Sequence, residues 1–171
     1  MDLTATFIDL LSGFPPSVVI LIISMIPVVE LRGAIPAGIL IYGMNPLYVF
    51  LLAVIGNMIP VTFIFYLIRP VSDFLSARSS FCRKFFDYFF ARAERNGRSA
   101  VEKYKDLALT VFVGIPLPMT GAWSGTLVAL IFGYPFKKAF LSIMLGVIIA
   151  GIIVTLLTVS GLTVWDAVRM L

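Results

Sequence analysis

The sequence predicts an all-α integral membrane protein built as an inverted repeat, in which each half contains an interfacial helix, a re-entrant hairpin and a spanning helix. Hydrophobic residues make up 60% of the 171 residues and charged residues only 13%, whereas soluble domains contain about 25% charged residues. Charged residues are absent from three long runs, 10–29, 33–68 and 107–136. Prolines and glycines divide these runs into pieces, several of which are too short to cross a bilayer as plain helices.

The first hydrophobic region is divided by a charged break that is rich in proline and glycine. Residues 1–13 are typical of a short amphipathic helix at the membrane interface. The apolar arm between Pro16 and Pro27 is about 15 Å long as a helix, half of the ~30 Å hydrocarbon thickness. A second short arm follows the break, so a re-entrant hairpin is predicted over residues 17–43. A single kinked spanning helix from Ser17 to Tyr42 is the alternative.

A plain spanning helix is predicted over residues 46–68. Gly56-Asn57 and Pro60 lie near its middle and are expected to interrupt it. Asn57 at that depth is expected to face protein or a cavity, because polar side chains in membranes need partners. A close helix contact at Gly56 is the alternative explanation for this pair.

Most of the basic residues lie in one segment, residues 69–106. It contains nine of the thirteen Lys and Arg residues, namely Arg69, Arg78, Arg83, Lys84, Arg92, Arg95, Arg98, Lys103 and Lys105. Aromatic residues recur at helical spacing over 81–90 with charges between them, which predicts an amphipathic interfacial helix. The positive-inside rule places this segment in the cytoplasm.

The second half repeats the order of the first. Pro116, Pro118 and Gly121 divide the charge-free run, which predicts a second re-entrant hairpin over residues 107–133. A second spanning helix is predicted over residues 136–157.

The two halves are expected to form a single membrane domain over residues 1–171, with repeats at 1–68 and 107–171. Each half enters and leaves its hairpin on one side of the membrane and then crosses once, so the halves have opposite orientations. With residues 69–106 in the cytoplasm, both chain termini lie outside, and the predicted location is the inner (plasma) membrane as a multi-pass protein.

The composition excludes several classes of function. The sequence has no histidine and a single cysteine, Cys82, which removes the commonest metal ligand and general base as well as any intramolecular disulfide. We therefore expect no metal, no cofactor and no enzymatic activity. The basic residues follow from membrane topology, so no nucleic-acid partner is expected.

The charged break contains the candidate site. Glu30 and Arg32 lie at membrane depth, where an ionisable side chain costs several kcal/mol unless it is paired or hydrated. Glu30 would be the carboxylate that couples transport to protons, and Arg32 would bind an anionic group. Half-helix N-termini near Gly33-Ala34 and Gly121-Ala122 would offer backbone N–H donors to that group. The alternative is that Glu30 and Arg32 neutralise each other, or hold the broken backbone of the other hairpin.

The two hairpin tips are predicted to meet at the membrane midplane, an arrangement typical of secondary transporters. The candidate substrate- or ion-binding residues are Glu30, Arg32, Gly33, Pro36, Asn57, Pro116, Pro118, Thr120, Gly121, Trp123 and Ser124. The expected partners are the lipid membrane, protons, a small-molecule or lipid-phosphate substrate, and a second copy of the chain in a homodimer.

Two motifs resemble those of the small multidrug export protein family. They are Glu30-Leu31-Arg32-Gly33-Ala34-Ile35-Pro36 and Ile115-Pro116-Leu117-Pro118-Met119-Thr120-Gly121-Ala122-Trp123-Ser124-Gly125. The Gly56-Asn57 pair is similar to a pair in that family, and the resemblance implies an exporter.

The predicted architecture is also similar to the DedA superfamily, whose bacterial members are implicated in flipping polyprenyl-phosphate lipids and in proton-dependent homeostasis. This second resemblance concerns the fold. It makes a lipid-phosphate flippase one alternative function, and a non-transporting membrane scaffold or assembly factor is another.

Overall fold

The computed structural model describes residues 11, 13–27, 29–80, 83–84, 87–88, 102–116 and 120–169. Within these residues the chain is all-helical, without strands. The helices are α1 (Pro16–Met25), α2 (Glu30–Pro36), which continues into a π-helical segment (Ala37–Ile41), α3 (Pro46–Arg78), α4 (Glu102–Gly114), α5 (Ala122–Ile131) and α6 (Phe136–Arg169). Most of the predicted helix over residues 1–13, the greater part of the aromatic segment 81–90 and Cys82 lie outside the described residues.

The first hydrophobic region forms two short helices, as the hairpin prediction requires. Helix α1 begins with Pro16 in its first turn and ends at Met25, and the next residue, Ile26, has an extended backbone. Pro27 disfavours a helical conformation at the residue before it, so the chain leaves the helix here. The prediction was wrong in one detail. The break lies before Glu30, and Gly33 and Pro36 lie inside α2, where Pro36 is followed by a π-helical segment instead of a chain break.

Helices α3 and α6 are longer than predicted. Asn45 begins α3, because its Oδ1 accepts hydrogen bonds from the backbone N–H groups of Leu47 at 2.9 Å and Tyr48 at 3.3 Å. The helix then continues through Pro60 and Pro70 to Arg78, so the interruption expected at Gly56-Asn57 and Pro60 is absent from it. Membrane helices tolerate proline where neighbouring groups satisfy the freed backbone. The apolar parts that could cross a membrane are Pro46–Ile68 and Phe136–Gly161.

Most of the surface of these two long helices faces away from the rest of the protein. Within the most apolar window of each, only 33% and 39% of residues are buried. Large apolar side chains such as Phe63, Leu67 and Leu157 are at least half exposed. A helix in the core of a soluble protein would bury them, so this surface indicates contact with lipid.

The two halves of the chain pack in the same way. Helix α1 packs against α3, and α4 packs against α6. Helices α2 and α5 each contact both long helices, which also contact each other. A glycine with positive φ precedes each long helix, Gly43 at 59° and Gly133 at 69°, where a side chain would be strained.

Each long helix has one glycine where a short helix approaches closely. A Cβ at Gly56 would overlap the Ser24 hydroxyl and lie 2.6 Å from the carbonyl oxygen of Leu21. A Cβ at Gly146 would lie 2.7 Å from Cβ of Val113 and 2.8 Å from the carbonyl oxygen of Thr110. Small residues at such positions allow helix backbones to approach each other in membranes.

We expect Gly146→Ala to lower the free energy of unfolding by about 1–3 kcal/mol, because the added methyl group forces α4 away from α6. The measurement is unfolding in mixed detergent micelles followed by circular dichroism. Gly114→Ala is the matched control from the other side of the same contact, since its Cβ would face α6 at 3.4 Å from Cγ2 of Ile149, an ordinary contact. Equal stability of the two variants would contradict the close packing of α4 on α6.

Candidate functional site

The start of α2 and the start of α5 meet between the two long helices. Glu30 is 4% exposed, and no other charged side chain among the described residues is buried. Its Oε1 accepts a hydrogen bond from the backbone N–H of Trp123 at 3.2 Å, and its carboxylate also accepts one from the backbone N–H of Ala122. The carboxylate therefore satisfies the first two N–H groups of α5, at the helix end that favours negative charge.

Gly121 explains why this carboxylate comes from a distant residue. Gly121 occupies the N-cap position of α5 and has no side chain that could accept a hydrogen bond. A Cβ at Gly121 would overlap the carboxylate of Glu30. Glu30 thus supplies the capping oxygen that serine, threonine or aspartate supplies in other helices. Within α5, Ser124 Oγ accepts a hydrogen bond from the backbone N–H of Gly121 at 2.9 Å.

The backbone of Glu30 lies in an unusual conformation. Its φ is 48°, in the left-handed region that few residues other than glycine adopt. Such strain costs on the order of 1–3 kcal/mol and persists where the surroundings fix it, often at functional sites. Here the two hydrogen bonds from α5 fix the position of the carboxylate.

Arg32 and Trp123 add two further contacts between the halves. Arg32 Nη2 donates hydrogen bonds to the carbonyl oxygen of Thr120 at 2.7 Å and to its Oγ1 at 3.2 Å. Trp123 Nε1 donates one to the carbonyl oxygen of Met25, the last residue of α1, at 3.0 Å. We call the contacts of Glu30 and Arg32 with residues 120–123, together with this indole contact, the clasp.

Asn57 lies beside the clasp and is completely buried. Neither its Oδ1 nor its Nδ2 has a hydrogen-bond partner within the described part of the chain, and the same is true of Nε of Arg32. Asn57 lines a closed space together with Glu30, Arg32, Gly121 and Val147. This space is too small to admit a water molecule.

The comparisons with known proteins name a family for this chain. A family model described as "Putative small multi-drug export protein" matches residues 30–153, from Glu30 of the clasp to the middle of α6. The chain belongs to this family. Neither a curated protein nor a solved structure matches the sequence. Membership of the small multi-drug export family, together with the two membrane-capable helices, indicates a membrane location and an export function, and it favours a transport protein over an enzyme.

Two apolar grooves flank the clasp of this small multi-drug export family protein. The first, which we call the α6 groove, has a volume of about 750 Å³. The described residues that line it include Arg32, Pro36, Pro116, Val154, Leu157 and Thr158. Arg32 is the charged residue in this lining, so the groove combines one fixed cation with a long apolar wall.

The second groove, which we call the α3 groove, has a volume of about 410 Å³. The described residues that line it include Met25, Pro60, Phe63, Leu67, Val71 and Trp123. These side chains are uncharged, so the two grooves differ mainly in that the α6 groove has Arg32.

The structure brings most of the predicted site residues together. Glu30, Arg32, Thr120, Gly121, Trp123 and Ser124 form the clasp or its support, Asn57 lies beside it, and Pro36 and Pro116 line the α6 groove. Pro118 lies outside the described residues. The prediction of a helix N-terminus with free N–H groups near Gly33-Ala34 was wrong, because the N–H of Gly33 already donates a hydrogen bond to the carbonyl oxygen of Val29. The N-terminus at Ala122 agrees with the prediction.

Sequence reasoning missed the groove residues of α6 and Val147. Val154, Leu157 and Thr158 lie in a largely apolar run without charges, where side-chain type does not distinguish a groove from a lipid-facing surface. Val147 follows Gly146 just as Asn57 follows Gly56. Matching the two glycines could therefore have placed Val147 at the site.

Proposed function

We propose that this protein is a secondary transporter of the inner (plasma) membrane that moves an amphipathic, anionic or lipid-like substrate and couples this movement to protons. The observation that carries the proposal is the α6 groove, where Arg32 is the fixed charge beside an apolar wall. A guanidinium group suits phosphate and carboxylate oxygens, and the apolar wall suits a hydrocarbon chain.

The proposed membrane arrangement is an inverted repeat with two re-entrant hairpins, α1–α2 and α4–α5, and two spanning helices. The matching helix contacts, the paired glycines Gly56 and Gly146 and the short length of α1 and α5 support it. With residues 69–106 in the cytoplasm, the α6 groove opens toward the outer leaflet and the α3 groove toward the cytoplasmic leaflet. The clasp then lies between them, as the binding site of a secondary transporter does.

Proton coupling would involve Glu30. It is buried beside Arg32, and its carboxylate holds the start of α5. Loss of its negative charge on protonation would weaken its attraction to the helix N-terminus. Protonation could in this way loosen the contact between the halves while a substrate anion occupies Arg32.

Two alternatives rest on specific observations. The α6 groove is lined by Leu40 and Leu157, both more than half exposed, so a lipid tail could stay in the bilayer while its headgroup crosses, as in a lipid-phosphate flippase. The clasp also holds the two halves together, as a scaffold would require.

The test is translocation of labelled lipids in proteoliposomes. NBD-labelled phosphatidate is the anionic probe and NBD-labelled phosphatidylcholine the zwitterionic one, with dithionite quenching as the measurement. We expect the protein to translocate the anionic probe, and Arg32→Gln to slow this about tenfold or more, because bonds between a charged donor and an anion are lost. Arg32→Lys, which keeps the charge but loses the planar fork, should retain part of the rate.

Arg78→Gln is the control for a general loss of positive charge, since Arg78 lies at the end of α3 over the ring of Phe74, away from both grooves. Circular dichroism of each variant checks folding. Translocation no faster than in protein-free liposomes would reject the transporter and favour the scaffold. Equal rates for the native protein, Arg32→Gln and Arg32→Lys would remove Arg32 from the mechanism.

A further inference from the structure

The two grooves occupy corresponding places in the two halves of the chain. The α6 groove lies between the α4 tip, at Pro116, and the last turns of the apolar span of α6. The α3 groove lies between the α1 tip, at Met25, and the last turns of the apolar span of α3. Leu67 follows Gly56 at the same distance along the chain as Leu157 follows Gly146. Leu67 lines the α3 groove, and Leu157 lines the α6 groove. The grooves are therefore equivalent sites on the two repeats.

The closed space around Asn57 lies between the two grooves. Arg32 lines both the α6 groove and the closed space. On the other side, Ala122 lines the closed space, and its neighbour Trp123 lines the α3 groove. The closed space thus shares Arg32 with the α6 groove and is separated from the α3 groove by the start of α5, which belongs to the clasp.

Asn57 is polar although its packing does not require a polar residue. Its equivalent in the second half is Val147, which is 1% exposed and lines the same closed space. An amide buried without hydrogen bonds destabilises the conformation that buries it, and an apolar side chain of similar size would avoid that penalty. An amide at this position indicates that it finds a partner in another conformation of the protein.

The polar atoms that lack hydrogen-bond partners indicate the chemistry of a ligand that could bind there. Asn57 Nδ2 and Arg32 Nε are both donors without an acceptor among the residues that the structure describes. Two donors, one of them charged, suit an anionic oxygen. Asn57 Oδ1 remains as an acceptor for a hydroxyl group on the same ligand, such as that of a singly ionised phosphate monoester.

We propose that Asn57 and Arg32 Nε form a subsite that receives the oxygen atoms of an anionic headgroup on its way from one groove to the other. The inference rests on the proposed transport function and adds to it the passage through the closed space. The structure then represents the closed barrier, and the subsite forms when the start of α5 moves away from α2.

The first experiment tests binding with dodecyl phosphate as the probe and dodecyltrimethylammonium as its cationic control. Thermal unfolding in detergent micelles is followed at increasing probe concentration. Without a probe, Asn57→Val should melt at a higher temperature than the native protein. Its apparent affinity for dodecyl phosphate should fall about ten- to a hundredfold, because hydrogen bonds to a charged group are lost. Val147→Ala is the matched control, because it changes the wall of the same space without removing a donor.

The second experiment tests whether the closed space opens. Cys82→Ser removes the sole native cysteine, and Val147→Cys or Ala150→Cys then places a thiol in the lining of the closed space. Dodecyl phosphate should raise the rate of labelling by a membrane-impermeant methanethiosulfonate about tenfold, and Asn57→Val should abolish this increase. Two reporter positions are used because either variant alone could disturb packing.

The outcomes separate this inference from the proposed function. Translocation of the anionic probe that depends on Arg32 but is unchanged in Asn57→Val would overturn the subsite while leaving the transporter intact. A lower melting temperature of Asn57→Val without a probe would also overturn it, because Asn57 would then have a structural partner. Weaker binding of dodecyl phosphate together with lost labelling would support it. Absence of translocation by the native protein would overturn both proposals.

Discussion

Gly121→Ala is expected to lower the free energy of unfolding by about 3–5 kcal/mol, although it adds a single methyl group. That methyl group would overlap the carboxylate of Glu30, so the carboxylate must leave the N–H groups of Ala122 and Trp123. A buried charge without its partners is destabilising by this amount. Unfolding in mixed detergent micelles, followed by circular dichroism, measures the change.

The control for Gly121→Ala is Gly13→Ala, whose Cβ would have no atom within 4 Å among the described residues and which should change stability by less than about 0.5 kcal/mol. A double variant tests the physical reason more directly. Glu30→Ala removes the clashing carboxylate, and Gly121→Ser supplies a capping oxygen from the helix itself. The double variant Glu30→Ala/Gly121→Ser should therefore be more stable than Gly121→Ala alone. A double variant no more stable than that single variant would show that the carboxylate is not what Gly121 accommodates.

The short helices could be predicted because proline and glycine act locally. Pro16 and Pro27 bound the first arm by removing donors and restricting the preceding residue, and α1 accordingly ends at Met25. The same reasoning placed the start of α5 at Ala122. Local signals were less reliable inside long helices, where Pro60 is accommodated without a break.

The cap that Glu30 provides for α5 could not be predicted, because it depends on how the two halves pack. A capping side chain is normally sought within a few residues of the helix start, and the residue at that start here is a glycine. The sequence showed that Glu30 needed a partner at membrane depth, and Arg32 was the obvious nearby choice. In the structure, both side chains instead form hydrogen bonds with residues 120–123. This corresponds to the alternative in which Glu30 and Arg32 hold the broken backbone of the other half of the chain.

In the mechanism that we propose, the clasp would allow Glu30 to serve stability and transport through the same contact. A carboxylate that holds two halves together more firmly while it is charged would link its protonation to their separation. The strained φ of 48° at Glu30 fits this role, because opening of the contact would allow the strain to relax. A scaffold would have no use for a contact that a proton can weaken, so the response to pH distinguishes the two functions.

Glu30→Gln is expected to abolish the effect of a pH gradient on translocation while leaving the fold intact. Glutamine keeps a carbonyl oxygen that can accept the N–H of Trp123, but it has no proton to gain or lose in this range. If one proton accompanies each anion, a gradient of one pH unit should change the rate for the native protein by up to about tenfold. In Glu30→Gln, the rate with the gradient divided by the rate without it should be about one. The measurement is dithionite quenching of NBD-labelled phosphatidate with and without an imposed gradient.

Asp73→Asn is the matched control for Glu30→Gln, because it neutralises an exposed carboxylate on α3 and should keep the full response to the gradient. A Glu30→Gln variant that is folded and still responds like the native protein would assign the coupling proton to another group and reduce Glu30 to a structural cap. A variant that loses all translocation but not its fold would show that the charge is needed for the movement itself. The expected result for Glu30→Gln is translocation without a response to the pH gradient. It would follow only if the proton that is coupled to translocation binds at Glu30.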